Sequence, residues 1–158
     1  MPKAATSLVS KQAAEKQIAG FIDKFNPEIA KLIREVRTFL RKRFPTAHEL
    51  VYDNYNFFVI GYAATDRASD ALLSLAGYAK GVNIFFLWGQ KFDDPHHLLL
   101  GKGKQVRQLR IDQPALLRDK RVEALFIEAE YHAPTPLQTS GKGSTIIKSI
   151  SVKQRPRR

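Results

Sequence analysis

Residue types that bind metals or transfer protons cluster in one short stretch of the chain, at Asp93, Asp94, His96 and His97. Carboxylates and imidazoles at this spacing offer oxygen and nitrogen ligands to a hard or borderline divalent cation, provided that another element brings further carboxylates close. Charged residues in loops are usually solvated and bind nothing. The stretch is therefore predicted to be a surface turn, with a metal site as the alternative.

A second stretch, Gly101-Lys102-Gly103-Lys104 followed by Arg107, has the composition of an anion-binding loop. Glycines allow backbone N–H groups to approach a phosphate, and the lysines supply charge. The stretch lacks the spacing of a nucleotide P-loop, and it precedes a predicted strand where a P-loop precedes a helix. A turn into a surface strand is the favoured interpretation. If an anion binds here, Lys102, Lys104 and Arg107 are its expected charge anchors.

Aromatic residues are frequent between positions 52 and 88 and have the character of residues that line ligand pockets. Because side chains alternate along a strand, only half of these residues can face any one pocket, and most are expected in the core. Tyr52, Tyr55 and Trp88 are the predicted pocket walls, since each carries a polar group near the end of a predicted strand.

Length and composition exclude several classes of protein. The chain has 158 residues, which is near the size of a single domain with one sizeable core, and its lack of cysteine excludes disulfides, thiolate metal sites and cysteine nucleophiles. It contains no Ser-His-Asp ordering, nucleophile elbow or dinucleotide-binding glycine pattern, so the sequence gives no argument for an enzyme. No signal-peptide core follows the N-terminus, and no apolar run approaches the roughly 20 residues of a membrane span. A cytoplasmic protein without membrane contact is expected.

The elements that must position these residues begin with helices. Apolar residues at helical spacing from Ala14 to Phe25 predict a first amphipathic helix. Asn26-Pro27 combines an N-cap residue with a proline at the first helical position, so a second helix begins there and ends near Pro45. A last helix is predicted to begin at Pro114 or Asp119 and to end at the proline-containing stretch 133–136.

Between the helices, short aromatic and aliphatic runs separated by turn residues predict strands. The predicted ranges are 49–53, 56–63, 71–80, 82–87 and 106–111. Two of these runs are apolar on both faces, which is typical of strands inside a sheet. The predicted fold class is α+β, a single domain over residues 1–134 in which helices pack on one face of a mainly antiparallel sheet.

Residues 135–158 are predicted to form a linker, a further strand at 145–152 and a basic tail. The last 18 residues hold six basic residues and no acid, which is a large part of the formal net charge of +11. Such a tail can contact nucleic acid through phosphates, although without interleaved aromatic residues the binding would be weak and sensitive to salt. A solubilising or docking tail is the alternative. An edge strand there can complete its own sheet or that of a second copy, which leaves an oligomer open.

Several strings in the chain occur together in one known family. They are the segment 44–52 beginning Phe44-Pro45, the strand end Phe86-Leu87-Trp88-Gly89, the segment 94–107 beginning Asp94-Pro95, and the alanine-rich last helix. With these strings the chain resembles the YdhG-like bacterial family, a domain of unknown function with one branch described as frataxin-like. The resemblance covers most of the chain. It implies an α+β fold with helices on an antiparallel sheet.

The resemblance and the residues together give three functional expectations. The first is a non-enzymatic domain that binds a small anionic ligand, with Tyr52, Tyr55 and Trp88 as walls and the basic residues of the 101–107 stretch as anchors. The second is frataxin-like iron or other metal binding through Asp93, Asp94, His96 and His97, although 26 basic against 15 acidic residues favour anions over cations. The third is a nucleic-acid-associated accessory protein that acts through its basic tail.

Overall fold

The computed structural model of the chain describes residues 3–158, with side chains from residue 11 onward. Three α-helices occur in this range: α1 (Lys3–Ile22), α2 (Pro27–Arg43) and α3 (Lys120–Tyr131). As predicted, Asn26 is the N-cap of α2 and Pro27 its first helical residue, although the Asn26 side chain forms no capping hydrogen bond. The last helix, α3, begins after Asp119, one of its two predicted starts, and the Asp119 carboxylate accepts a hydrogen bond from the backbone N–H of Arg121. Single 3₁₀ turns lie at 68–70, 89–91 and 114–118.

Six strands form one sheet in the order β5-β4-β3-β2-β1-β6. They are β1 (His48–Asp53), β2 (Phe58–Ala63), β3 (Ala71–Tyr78), β4 (Gly81–Phe86), β5 (Arg107–Ile111) and β6 (Thr145–Ile150). The first five strands form an antiparallel meander, as predicted. The strand predicted in the tail is also present, and it joins the edge of the sheet in parallel with β1.

The helices cover one face of the sheet, which confirms the predicted α+β class. The core under them is continuous and contains residues from α1, α2, α3 and five strands, with Ile18, Ile33, Ile60, Ile84 and Phe126 all fully buried. The close approach of α2 to the sheet explains Gly77 on β3: a Cβ atom there would lie 2.7 Å from Cδ1 of Ile33. In the described residues 3–158, no α-helix packs on the opposite face of the sheet. Among the described residues, no helix is both long and apolar enough to cross a bilayer.

Candidate functional site

The three aromatic residues predicted as pocket walls do not come together. Tyr52 lies on β1 on the open face, and Tyr55 follows in the connection to β2. Trp88 follows β4 at the opposite end of the sheet, about 17 Å further along the strand direction. The register of the meander therefore separates Tyr55 from Trp88, which corrects the prediction of one shared pocket. The hydroxyl of Tyr52 and the indole N–H of Trp88 are buried without a hydrogen-bond partner in the described part of the chain.

The glycine-lysine loop is a turn into β5, as favoured by the sequence. Lys102 and Lys104 are exposed, and Leu100 and Gln108 close the loop through paired backbone hydrogen bonds of 2.8 and 2.9 Å. The guanidinium of Arg107 donates to the carbonyl oxygen of Gly103 at 2.6 Å. Arg107 therefore bonds to its own loop through Nη1, and its role as a charge anchor stays a prediction.

The four residues predicted as metal ligands form a surface turn. The carboxylate of Asp94 accepts hydrogen bonds from the backbone N–H groups of Leu98 and Leu99 at 3.0 and 2.9 Å, while Asp93, His96 and His97 are exposed. Within residues 3–158, no three His, Cys, Asp or Glu side chains are placed to hold a metal ion. Asp94 therefore caps its own loop, and the carboxylate of Glu128 on α3 accepts a hydrogen bond from the backbone N–H of Asp93 at 2.6 Å. The metal alternative for this stretch gains no support from this geometry and stays a prediction.

The basic tail packs against the body of the protein. Arg157 is buried, with its side chain 4% exposed, and donates to Oδ1 of Asp53 at 3.0 Å and to the carbonyl oxygen of Asn54 at 2.6 Å. Nζ of Lys24, at the end of α1, lies 2.6 Å from the other carboxylate oxygen of Asp53. Arg158 donates to the carbonyl oxygen of Lys24 at 3.0 Å. These contacts hold the last residues across the ends of α1 and β1.

A second buried ion network surrounds Glu49 on β1. Its carboxylate accepts two hydrogen bonds from Arg37 at 2.9 and 3.0 Å, and one each from the hydroxyls of Tyr62 and Thr145 at 2.8 Å. Burial opposes the ionisation of Glu49, but the hydrogen bonds and charge of Arg37 outweigh it and lower the pKa of the carboxyl. An ionised, fully bonded carboxylate is a poor general base, so this cluster joins α2, β1, β2 and β6 and serves the fold.

The open face of the sheet contains a cleft with a volume of about 630 Å³ near the start of β2 and the end of β3. Phe57 and Tyr78 form one wall, with ring centroids 5.7 Å apart and edge-to-face geometry. Its other lining residues come from the neighbouring turns, from β4 and β5, and from the tail: Asn56, Ala79, Lys80, Asn83, Gln108, Arg155 and Pro156. The cleft thus combines aromatic walls, amides and cations, although none of the predicted site residues lines it.

Two polar features of this cleft are unsatisfied. The amide of Asn83 donates to Oε1 of Gln108 at 2.6 Å, and its own carbonyl oxygen is buried without a partner among the described residues. Lys80 and Arg155 form no ion pair in the described part of the chain. The guanidinium of Arg155 lies 5.7 Å from the ring centroid of Tyr55, so the tail contributes a cation to the rim beside an aromatic ring of the β1–β2 connection.

Strand alternation could have pointed to this cleft. Phe57, Tyr78 and Asn83 lie in predicted strands, and a count of two along each strand puts them on the face opposite Phe58, Gly77 and Val82. The sequence does not give the register between the strands. It also does not show that the tail packs back against the sheet and puts Arg155 beside the cleft. No local sequence signal marks either.

A second cavity, of about 430 Å³, lies on the helical side between α2 and the 3₁₀ turn 114–118. Its lining includes four basic residues and one acid: Lys31, Arg34, Lys42, Arg118 and Glu35. Lys31 and Glu35 are 3.9 Å apart, one turn from each other on the helix. Exposed charges of this kind are typical of a solvated helix face. None of the unpartnered buried polar side-chain atoms in the described part of the chain belongs to this lining.

The class that the geometry defines is an α+β protein with one helix-covered sheet face and one open face that carries an aromatic and cationic cleft. Neither the known family models, nor the curated proteins, nor the solved structures include a match to this chain. The resemblance to the YdhG-like family stays a prediction.

Proposed function

We propose that the protein binds a small ligand in the cleft on the open sheet face, and that this ligand joins a planar ring to a negative charge. The observation that carries the proposal is the presence in one cleft of an aromatic pair, Phe57 and Tyr78, and two cations without ion-pair partners in the described chain, Lys80 and Arg155. Ligand sites combine apolar walls with a few placed polar groups in this way.

The amide of Asn83 adds directional specificity to the proposed site. Its buried carbonyl oxygen lacks a partner among the described residues, and a buried acceptor left unbonded costs about 1–3 kcal/mol. A ring N–H or amino group of the ligand would satisfy this oxygen, while a phosphate or carboxylate on the same ligand would approach Arg155 at the rim. The proposal keeps the expected class of anion binding and moves the site from the 101–107 loop to the cleft.

A comparison of four probes tests the proposal. Adenosine monophosphate and uridine monophosphate have both ring and charge, adenosine has the ring alone, and orthophosphate has the charge alone. At a hundredfold excess over its Kd, a ligand stabilises the folded state by about 2.7 kcal/mol, which corresponds to a rise in melting temperature of about 8 °C for a chain of this size. We expect the two nucleotides to raise the melting temperature more than adenosine or orthophosphate at equal concentration.

Two variants and one control locate the binding. Arg155→Gln removes the rim cation, and Asn83→Leu removes the buried acceptor; each should weaken nucleotide binding at least tenfold in calorimetric titration. Arg118→Gln, which removes a cation on the helical side, should leave binding unchanged. Equal binding by the Arg155 and Asn83 variants and the unchanged protein would refute the site, and no calorimetric heat at millimolar nucleotide would refute the proposed function.

A further inference from the structure

The two faces of the sheet differ in charge. The only carboxylates on the six strands, Glu49 and Asp53, both point to the helix-covered side, where Arg37 and Arg157 pair with them. The open face carries Arg110 on β5, which pairs with Asp112 at 3.0 Å just after the strand, and Lys148 on β6, with Lys80 and Arg155 at its rim. An open surface with cations and no strand carboxylate attracts an anionic partner.

Aromatic side chains lie between these cations. Tyr52, Phe57, Tyr78 and Phe85 are all half-buried on the open face, and the hydroxyl of Tyr52 is itself buried. The ring of Phe57 contacts those of Tyr78 and Phe85, with centroids 5.7 and 5.9 Å away. The guanidinium carbon of Arg110 lies 5.6 Å from the ring centroid of Tyr78, and Nη1 of Arg110 donates a hydrogen bond to the Tyr78 hydroxyl. Nucleic-acid bases stack on exposed aromatic and guanidinium planes of this kind, whatever their sequence.

The open face offers a binding surface larger than the cleft, and we call this surface the platform. Paired residues place Tyr52, Val59, Ala76, Asn83 and Arg110 in one row across five strands. Four inter-strand steps of about 4.8 Å give this row a length of about 19 Å, which is too long for one mononucleotide. The cleft fills one end of the row, and at the other end the hydroxyl of Tyr52 lacks a partner among the described residues.

We infer that the open face binds single-stranded nucleic acid, with one base in the cleft and neighbouring nucleotides across the strands toward Tyr52. The inference rests on the proposed function, because the cleft supplies the first base site. Phosphates would approach Lys80, Arg155 and Lys148, whose ammonium group donates to the backbone oxygen of Asp66 at 2.9 Å and stays exposed. Base pairing would hide the ring faces that the aromatic side chains need, so a duplex is not the partner.

Fluorescence anisotropy with a labelled ten-nucleotide oligouridine, measured on the full chain, tests the inference. Uridine monophosphate and the same oligomer annealed to oligoadenosine serve as competitors. We expect the single strand to bind at least tenfold more tightly than the mononucleotide and the duplex to compete at least tenfold less well. Three phosphate contacts predict a slope of about −2 for the logarithm of the binding constant against the logarithm of salt concentration.

Variants separate the platform from the cleft. Tyr52→Leu removes a stacking ring outside the cleft and should weaken oligouridine binding about tenfold while uridine monophosphate binds as before. Lys148→Gln should reduce the salt slope by about 0.7, and the control Lys42→Gln, on α2, should not change it. Tyr52→Phe, which keeps the ring, should retain the affinity and guards against a loss that reflects misfolding.

The outcomes distinguish this inference from the proposed function. Equal affinity for mononucleotide and oligomer keeps the cleft site and overturns the extended platform. If Tyr52→Leu does not weaken oligouridine binding and the duplex competes fully, the nucleic acid binds elsewhere, for instance on the tail alone. That result also overturns the inference. If neither uridine monophosphate nor oligouridine binds, both the proposed function and this inference are overturned. A doubled mass in light scattering that Tyr52→Leu returns to the monomer value would identify a second copy of the chain as the occupant of the face and overturn the inference.

Discussion

Replacement of Arg157 by methionine tests whether the tail is part of the folded unit. The side chain of Arg157 is 4% exposed, and that of its partner Asp53 is fully buried. Removal of one member of a buried ion pair costs about 3–5 kcal/mol, because the other charge remains buried without compensation. Methionine keeps much of the apolar length of arginine that packs near Phe25, where the guanidinium carbon lies 5.6 Å from the ring centroid.

Two features of the site reduce this cost. Lys24 stays 2.6 Å from Asp53 and continues to neutralise it, although its own side chain is 42% exposed. Nε and Nη1 of Arg157 are buried without hydrogen-bond partners in the described chain, and relief of such donors returns about 1–3 kcal/mol. The expected net loss of stability is therefore about 2 kcal/mol.

Urea unfolding followed by the fluorescence of Trp88 measures this loss. With an m value of about 2 kcal/mol/M, the midpoint should fall by about 1 M, and the melting temperature should fall by about 6 °C. Lys153→Met is the matched control, since Lys153 is exposed and should change stability by less than about 0.5 kcal/mol. A midpoint for Arg157→Met within error of that control would refute the docked tail. In a double-mutant cycle with Asp53→Asn, a coupling energy near zero would refute the ion pair itself.

Three further changes probe the network around Glu49 and the attachment of β6. Because the pKa of Glu49 is lowered from 4.5 in the folded state, its stabilisation is complete above that pH and is lost as the pH falls below it. Glu49→Gln should therefore reduce the dependence of the urea midpoint on pH below 4.5. Tyr62→Phe removes a 2.8 Å hydrogen bond to that carboxylate and should cost about 2 kcal/mol in urea unfolding. Gly143→Ala puts a Cβ atom onto the backbone carbonyl of Ala47 and should speed hydrogen exchange in β6, while Gly103→Ala, whose nearest neighbour would be 4.0 Å away, should not.

Local patterns predicted the elements well because the forces that shape them are local. Pro27 fixes the start of α2 through its backbone geometry, and the alternation at 145–152 predicts the last strand within two residues of its end. The same alternation predicts which residues share a face of each strand. It does not predict which residues of neighbouring strands lie opposite each other. Residue type alone therefore groups Tyr55 with Trp88, although the meander puts them at opposite ends of the sheet.

The position of the tail shows a second limit of prediction from the sequence. A run of cations after a glycine-containing stretch is typical of a solvated tail, and burial of Arg157 depends on Asp53, 104 residues earlier in the chain. Neither residue alone differs from an ordinary surface charge in the sequence. The parallel pairing of β6 with β1 brings Arg157 and Asp53 together. That pairing joins segments far apart in the sequence, and local propensity does not determine it.

The docked tail also connects the stability of the protein to its proposed site. Arg155 and Pro156 line the cleft, and their position depends on the hydrogen bond from the Arg155 N–H to the carbonyl oxygen of Tyr55 at 2.8 Å and on the anchoring of Arg157 two residues later. Release of Arg157 would let Arg155 leave the rim without any change to the strands. Arg157→Met should therefore weaken binding of uridine monophosphate about as much as Arg155→Gln does, although Arg157 itself is buried and does not line the cleft. Unchanged binding in a variant already shown to be less stable would mean that Arg155 keeps its place through the Tyr55 contacts alone.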